Sequence, residues 1–298
     1  PIKLLLFLGT ITTLISMFLD NVTTVVLIAP VTILLCEILG FNAQPYLLAE
    51  ALLSDTGGVA TLVGDPPNIL IGSAAGFTFV DFLTHSLPVV FIVWLVALGI
   101  LFFLYHKDFS EKPTNLEALM ELNPQDAFKD RKTAWKALIV IFVMIIVFLL
   151  EESLHIRPAL VALGGAATAL VLIRPPIQET LKKVQWDVLI FFAALFIIIG
   201  GMQSAGVFSV FTNFADQIKE MSPLWLGLII LWVVAILSAF VDNVPITIAL
   251  ISVIQGLGAA GISTTPLWWA LVFGAGFGGL AQALLRHLRQ CGHERYVP

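Results

Sequence analysis

Ser16-Met17-Phe18-Leu19-Asp20-Asn21-Val22 recurs as Ser238-Ala239-Phe240-Val241-Asp242-Asn243-Val244, an offset of 222 residues. Each copy sets an acid and an amide inside a strongly apolar run. A carboxylate at the centre of a bilayer costs about 2.5 kcal/mol or more, so a polar break that appears twice is not incidental. Polar interruptions at corresponding places in two halves are how discontinuous membrane helices build a midplane site. The pattern predicts an all-α polytopic membrane protein with inverted repeats, re-entrant hairpins and discontinuous helices.

Composition agrees. Hydrophobic residues make up 59% of the 298-residue chain and charged residues 12%, with mean hydropathy +0.99. A soluble domain carries about 25% charged residues, so the chain reads as lipid-embedded. The net charge of −5 is small and spread out, and no basic patch invites nucleic acid. Cys36 and Cys291 lack metal-ligand spacing. No ATP-binding motif is present, so the chain is not expected to be an ATPase, although a separate ATPase subunit stays open as a partner. The chain starts at Pro1 inside an apolar segment, and the expectation is that sequence precedes it.

Spans and loops follow from the apolar runs. Residues 4–39 are apolar except at the Asp20 tip, and each arm falls short of the ~20 residues of a comfortable span, so a re-entrant hairpin is expected. Residues 47–76 form a second run, broken around Ser54–Gly58 and Gly64–Asn68. Leu87–Tyr105 reads as a clean span, 106–133 as a polar loop, and 134–150 and 159–173 as two further spans. A span begins at 188, residues 207–220 read as interfacial, and 224–254 repeat the hairpin. Lysine and arginine bias puts the 106–133 and 174–183 loops on the cytoplasmic side. Counting crossings from there gives the two hairpins opposite orientations. The expected units are a first transport repeat over 1–105 (N-terminally incomplete), the loop 106–133, connecting scaffold helices over 134–183, a second transport repeat over 184–279, and an anomalous tail over 280–298.

The tip Asp20-Asn21-Val22-Thr23-Thr24 offers carboxylate, amide and hydroxyl oxygens beside the unpaired carbonyls of a helix end. That is a hard oxygen cage for a small cation. In the second copy Pro245 replaces Thr23, and Thr247 supplies the nearby hydroxyl beside Asp242 and Asn243. The competing reading of each aspartate is a helix N-cap. The run Gly57-Gly58-Val59-Ala60-Thr61-Leu62-Val63-Gly64-Asp65-Pro66-Pro67-Asn68 adds glycines for close backbone approach and prolines that end one half-helix and start the next. Asp65 and Asn68 add polar ligands. His85, His106 and His155 sit near membrane edges, where histidine is ordinary. Gly274–Gly279 lacks the preceding strand of a nucleotide loop and reads as close helix packing.

Asp-Asn-Val-Thr-Thr at 20–24, followed by the Gly57–Asn68 run, resembles the ion transporter superfamily of arsenite permeases, NhaD-type sodium/proton antiporters, citrate transporters and the melanosomal P protein. The wording is nearest the P protein branch. Trp186-Asp187, Phe191-Phe192 and Gly200-Gly201 resemble the helix that opens each half in that family. The resemblance implies a site at Asp20, Asn21, Thr23, Thr24, Gly57, Gly58, Thr61, Gly64, Asp65, Asn68, Asp242, Asn243, Pro245 and Thr247. It also implies a homodimer built on a separate scaffold. One departure stands out. After Gly278-Gly279 the second copy continues as Leu280-Ala281-Gln282 and becomes basic, where the family would place a second unwound loop. A frameshift or truncation near residue 279 is the expectation.

The chemistry expected is secondary active transport of an ion or small solute in the plasma (inner) membrane. No cofactor is expected beyond a coupling Na+ or H+. Oxygen ligands for Na+ are Asp20, Asn21, Asp65, Asp242 and Asn243. With three aspartates and no lysine or arginine, sodium/proton exchange or arsenite-type efflux ranks above citrate. Two alternatives are an inactive membrane remnant and an intramembrane aspartyl protease using Asp20 and Asp65. The protease reading lacks the first glycine of Gly-x-Gly-Asp, since the run is Leu62-Val63-Gly64-Asp65.

Overall fold

The computed structural model describes residues 1–106, 108–110, 113, 131–206 and 221–294, leaving the side chains at 110, 199, 203 and 281–294 outside that description. Among the described residues every regular element is helical. The first half runs α1 (Ile2–Ser16), α2 (Asn21–Leu39), α3 (Gln44–Gly58), α4 (Pro66–Ala75) and α5 (Phe79–Leu104). The middle holds α6 (Arg131–Leu149), α7 (Pro158–Ile173) and α8 (Trp186–Ser204), with short helical turns at Glu151–Leu154 and Ile177–Lys182. The second half runs α9 (Pro223–Ser238), α10 (Asn243–Ala259) and α11 (Thr265–Glu294).

The protein is an all-α, multi-pass integral membrane protein. α2, α5 and α6 are long and apolar enough to cross a membrane, and α1, α7, α9, α10 and Trp186–Met202 of α8 are shorter apolar helices. Their outer faces carry large apolar side chains at high exposure, such as Phe103 at 80% and Ile197 at 76%. Contiguous exposure on that scale is a lipid-facing surface.

Local chemistry explains the breaks. Asp20 and Asp242 start α2 and α10 as N-caps. Gly40 and Gly76 take left-handed φ values of 72° and 74° and close α2 and α4, where a side chain would be strained. Pro66 and Pro67 open α4, and the seven residues before it are unwound. α5 contains one π turn over Phe82–Ser86.

α3 is the hub, packed against α1, α2, α5 and α11, while α4 packs on α10 and α11 and α9 packs on α11. One apolar core lies among α1, α2, α3 and α5, around Leu53, Tyr46 and Leu101. A second gathers the α3 end, α4, the start of α5, α9, α10 and α11, around Val59, Ile71, Phe82 and Leu271. The two halves are therefore one packed body, with the α3–α11 contact at its centre.

Most expected boundaries match the helices within a few residues. The polar loop is shorter than expected at its end, because helix α6 already begins at Arg131. Most of that loop, the interfacial reading of 207–220, and 295–298 lie outside the described residues. At the far end α11 does not break at Gly278-Gly279, and its backbone continues to Glu294. The reason is in the sequence. The first copy meets Pro66-Pro67 soon after its glycine pair, whereas Leu280–Leu288 contains good helix formers and no proline.

Candidate functional site: two hairpin tips facing one cavity

The two motif copies adopt matching hydrogen bonds. In the first, the Ser16 hydroxyl lies 3.1 Å from Asn21 Oδ1 and 2.7 Å from the Ser54 carbonyl. In the second, the Ser238 hydroxyl lies 2.7 Å from Asn243 Oδ1 and 3.2 Å from the Ala275 carbonyl. Each serine closes α1 or α9 and reaches across its tip to the first residue of the following helix. Each also ties that tip to the third helix of its half. Because Oδ1 accepts from serine, the amide NH2 of each asparagine is turned away from it.

Glycine makes this approach possible. A Cβ on Gly57 would lie 2.5 Å from the Thr13 carbonyl oxygen, and one on Gly58 would lie 2.6 Å from Asn21 Oδ1. In the other half, a Cβ on Gly278 would lie 2.5 Å from Ser238 Cβ and 2.9 Å from the Ala235 carbonyl oxygen. Ser54, Gly57 and Gly58 thus match Ala275, Gly278 and Gly279. By the same register the counterpart of Asp55 is Gly276.

The unwound segment after α3 is fastened to the first tip. Thr61 donates its hydroxyl to the Met17 carbonyl and accepts from the Gly64 amide at 3.1 Å. The Asn68 amide donates to the carbonyls of Gly58 and Thr61 at 3.1 and 2.8 Å. These bonds satisfy carbonyls that the helix break releases. Asp65 starts α4 without capping it, and its Oδ2 is buried with no partner, as is Asn68 Oδ1. Asp65 also lies within Coulombic range of Asp55, Asp20 and Asp242.

The tips and α3 enclose an open cavity of about 710 Å³. Its polar lining comes from Asn21, Ser54, Asp55, Asp242 and Asn243, and Val22, Val26 and Phe240 form part of its apolar wall. Among the described residues no lysine, arginine or histidine lines it. The Asn21 side chain lies beside the Asp55 carboxylate. At Gly279, the point where a Cβ would sit is 3.3 Å from Asp55 Oδ2 and 3.5 Å from Asn243 Nδ2. Amides from both tips therefore flank a single carboxylate.

Of the residues expected from sequence, Asn21, Asp242 and Asn243 line this cavity. Asp20 sits at the first tip with its carboxylate accepting from the Thr23 amide at 3.1 Å. Asp242 makes a longer contact of 3.5 Å with the Val244 amide. Thr24 is fully buried with its hydroxyl unpartnered. Thr247 is fully buried and donates to the Asn243 carbonyl at 2.8 Å. Gly57, Gly58, Thr61, Gly64, Asp65 and Asn68 form the buried wall behind the first tip, and Pro245 lies in the first turn of α10. The sequence marks Asp55 only as part of a helix break, and its place in the cavity is not expected from it. The roles of Ser16 and Ser238 are not expected from it either, although both open the repeated motif and share its offset.

A family model described as "Citrate transporter" matches residues 1–274. A "46 kDa membrane protein" of Mycobacterium leprae is 39% identical over 94% of this chain. An "uncharacterized transporter" of Mycobacterium tuberculosis is 38% identical over 95% of it. The human P protein is 27% identical over 93% of the chain. The chain spans 66% of the length of the leprosy-bacillus relative, 67% of the tuberculosis relative and 42% of the human P protein.

Proposed function

The chain belongs to the citrate transporter family, and on that premise we propose that it is a secondary transporter. It moves a small solute through the cavity between the hairpin tips, driven by a Na+ or H+ gradient. The observation that carries this reading is the convergence of Asn21 and Asn243, from equivalent places in the two halves, on one cavity with Asp55. An internal repeat with a shared central site is what alternating access requires. The opposite hairpin orientations expected from the loop charges support the same mechanism.

The lining chemistry narrows the solute. Two carboxylates, two amides and, among the described residues, no cationic side chain favour a cation, a proton or a neutral hydroxylated species such as arsenous acid. Citrate would meet repulsion from Asp55 and Asp242 unless cations or the N-termini of α2 and α10 offset its charge. Among the described residues no three His, Cys, Asp or Glu side chains gather as metal ligands. A coupling Na+ would instead draw on oxygens of Asp20, Asn21, Asp65, Asp242 and Asn243 together with tip carbonyls, a ligand type that suits hard cations. The assembly is a homodimer in the plasma membrane. The protease alternative is weaker, since Asp20 is engaged as a helix cap and neither Asp20 nor Asp65 lines the cavity.

The test is uptake into proteoliposomes holding the full chain. Labelled citrate, arsenite and sodium would be offered in turn under imposed Na+ and H+ gradients. Gradient-dependent uptake of one of them, lost in Asp55→Asn and Asp242→Asn while both variants reach the membrane, is expected. Undiminished flux in both variants would remove the cavity from the mechanism.

A further inference from the structure

A second intramembrane acid lies apart from the cavity. Glu50, on α3, is fully buried. Thr32 of α2 donates its hydroxyl to Glu50 Oε1, and Oε2 has no hydrogen-bond partner. Thr32 stands eleven residues after Asn21, about 16 Å along α2, so this contact belongs to the far arm of the first hairpin. The buried stripe of α2 recurs every four residues as Thr24, Ile28, Thr32 and Cys36. It presents one hydroxyl and one thiol to this part of α3.

From α2, the titratable group beside Glu50 is the Cys36 thiol. On its own helix Tyr46 lies one turn earlier, with its ring against Phe41 and Phe109. α1, α5 and the described side chains of α11, also packed on α3, bring no charged group to it. An ionised carboxylate offers about four acceptor sites, and among the described residues it meets one hydroxyl and no cation. A buried charge left in that state is strongly unfavourable. A neutral acid fits without rearrangement, with Oε1 accepting from Thr32 and the proton resting on Oε2.

The structure assigns Glu50 as a proton-binding site, separate from the cavity, whose occupancy holds α2 closed against α3. The proton comes from the aqueous phase, rests on Oε2, and returns to water when the contact opens. Ionisation leaves Oε2 without donors, so water enters or α2 parts from α3. Two discrete packings of one hairpin arm are the kind of element that a ligand can switch. Its use in coupling rests on the transport reading above.

Infrared spectra of the full chain in nanodiscs, recorded across pH for wild type and Glu50→Gln, test the site without needing a transported solute. Glutamine keeps the size and the bond to Thr32 but carries no titratable proton. The wild type is expected to show the carbonyl band of a protonated acid, absent from Glu50→Gln, that fades as pH rises. Thr32→Val is expected to move the pH at which it fades. No Glu50-dependent band at any pH overturns the proposal, and so does a band unchanged across the whole range. In proteoliposomes Glu50→Gln should keep solute exchange at zero gradient but lose at least about tenfold of its stimulation by a pH gradient. Failure of the wild type to carry any solute would count against transport alone and leave the spectroscopic result standing.

Discussion

Ser238 donates to Asn243 Oδ1 at 2.7 Å, while Ser16 makes the equivalent bond to Asn21 at 3.1 Å. Each hydroxyl has one proton and two acceptors in reach. In the first half the shorter contact is to the Ser54 carbonyl, at 2.7 Å. In the second the asparagine holds the proton more closely, and the Ala275 carbonyl is 3.2 Å away. Ser238→Ala should therefore release the Asn243 amide more than Ser16→Ala releases Asn21. A hydrogen bond of about 1 kcal/mol corresponds to roughly a fivefold drop in flux for Ser238→Ala, and a smaller drop for Ser16→Ala. Proteoliposome uptake by the two variants checks the order, and a reversed order would show that the serines do not orient the amides.

Asp20 separates two roles that the sequence alone leaves joined. Its carboxylate caps α2, and asparagine caps a helix about as well as aspartate. If the cap is its role, Asp20→Asn keeps most of the flux and Asp20→Ala loses about 1 kcal/mol of stability. Flux lost in Asp20→Asn, with the melting temperature unchanged, would instead show that its charge acts in transport.

Glycines divide by what surrounds them. Gly57→Ala would press a methyl against the Thr13 carbonyl, with 2.5 Å available, and overpacking of this kind costs roughly 1–3 kcal/mol. Gly164→Ala, on α7 with nothing within 4 Å of its Cβ, should be neutral or gain up to about 1 kcal/mol from helix propensity. Thermal unfolding in one detergent compares them directly. Equal effects would mean that the close α1–α3 approach is absent.

Glu151 lies in the turn after α6, outside the spanning segments, and accepts a 2.5 Å bond from the Phe79 amide at the start of α5. Burial pushes its carboxyl above the ordinary value of 4.5, the Phe79 bond opposes this, and Asp81 and Glu152 add to the rise. A folded-state value above the unfolded one means that the native protein binds the proton more tightly. Stability is then fully present below pH 4.5 and declines as pH rises through the folded value. Glu151→Gln keeps an acceptor for Phe79 and should flatten that part of the stability–pH curve. A curve with the same slope in the variant would assign the dependence to other groups.

The hairpins, the unwound segment and the pairing of the two halves were legible because each leaves a local mark. Polar residues break apolar runs, prolines stop helices, and the motif repeats at a fixed offset. Asp55 was not legible. It sits inside a helix among Ser54, Thr56 and two glycines, and nothing near it in sequence says that α10, nearly 190 residues later, will face it. Glu50 escaped for a related reason, since one acid in an apolar helix reads the same whether it points to a headgroup or to Thr32. The continuation of α11 past Gly278-Gly279 depended on the absence of prolines, which the glycine pair obscured.

The match between Asp55 and Gly276 has an electrical consequence. Two halves that fold alike do not carry charge alike, because the first brings a carboxylate to the shared cavity where the second brings only a glycine. On the transport reading proposed above, exchanging the conformations of the halves would displace an ionised Asp55 along the membrane normal with no counterpart from Gly276. An elementary charge carried across the full thickness responds to voltage by about 2.3 kcal/mol per 100 mV. A membrane potential would consequently tilt the balance between outward- and inward-open forms even with the cavity empty.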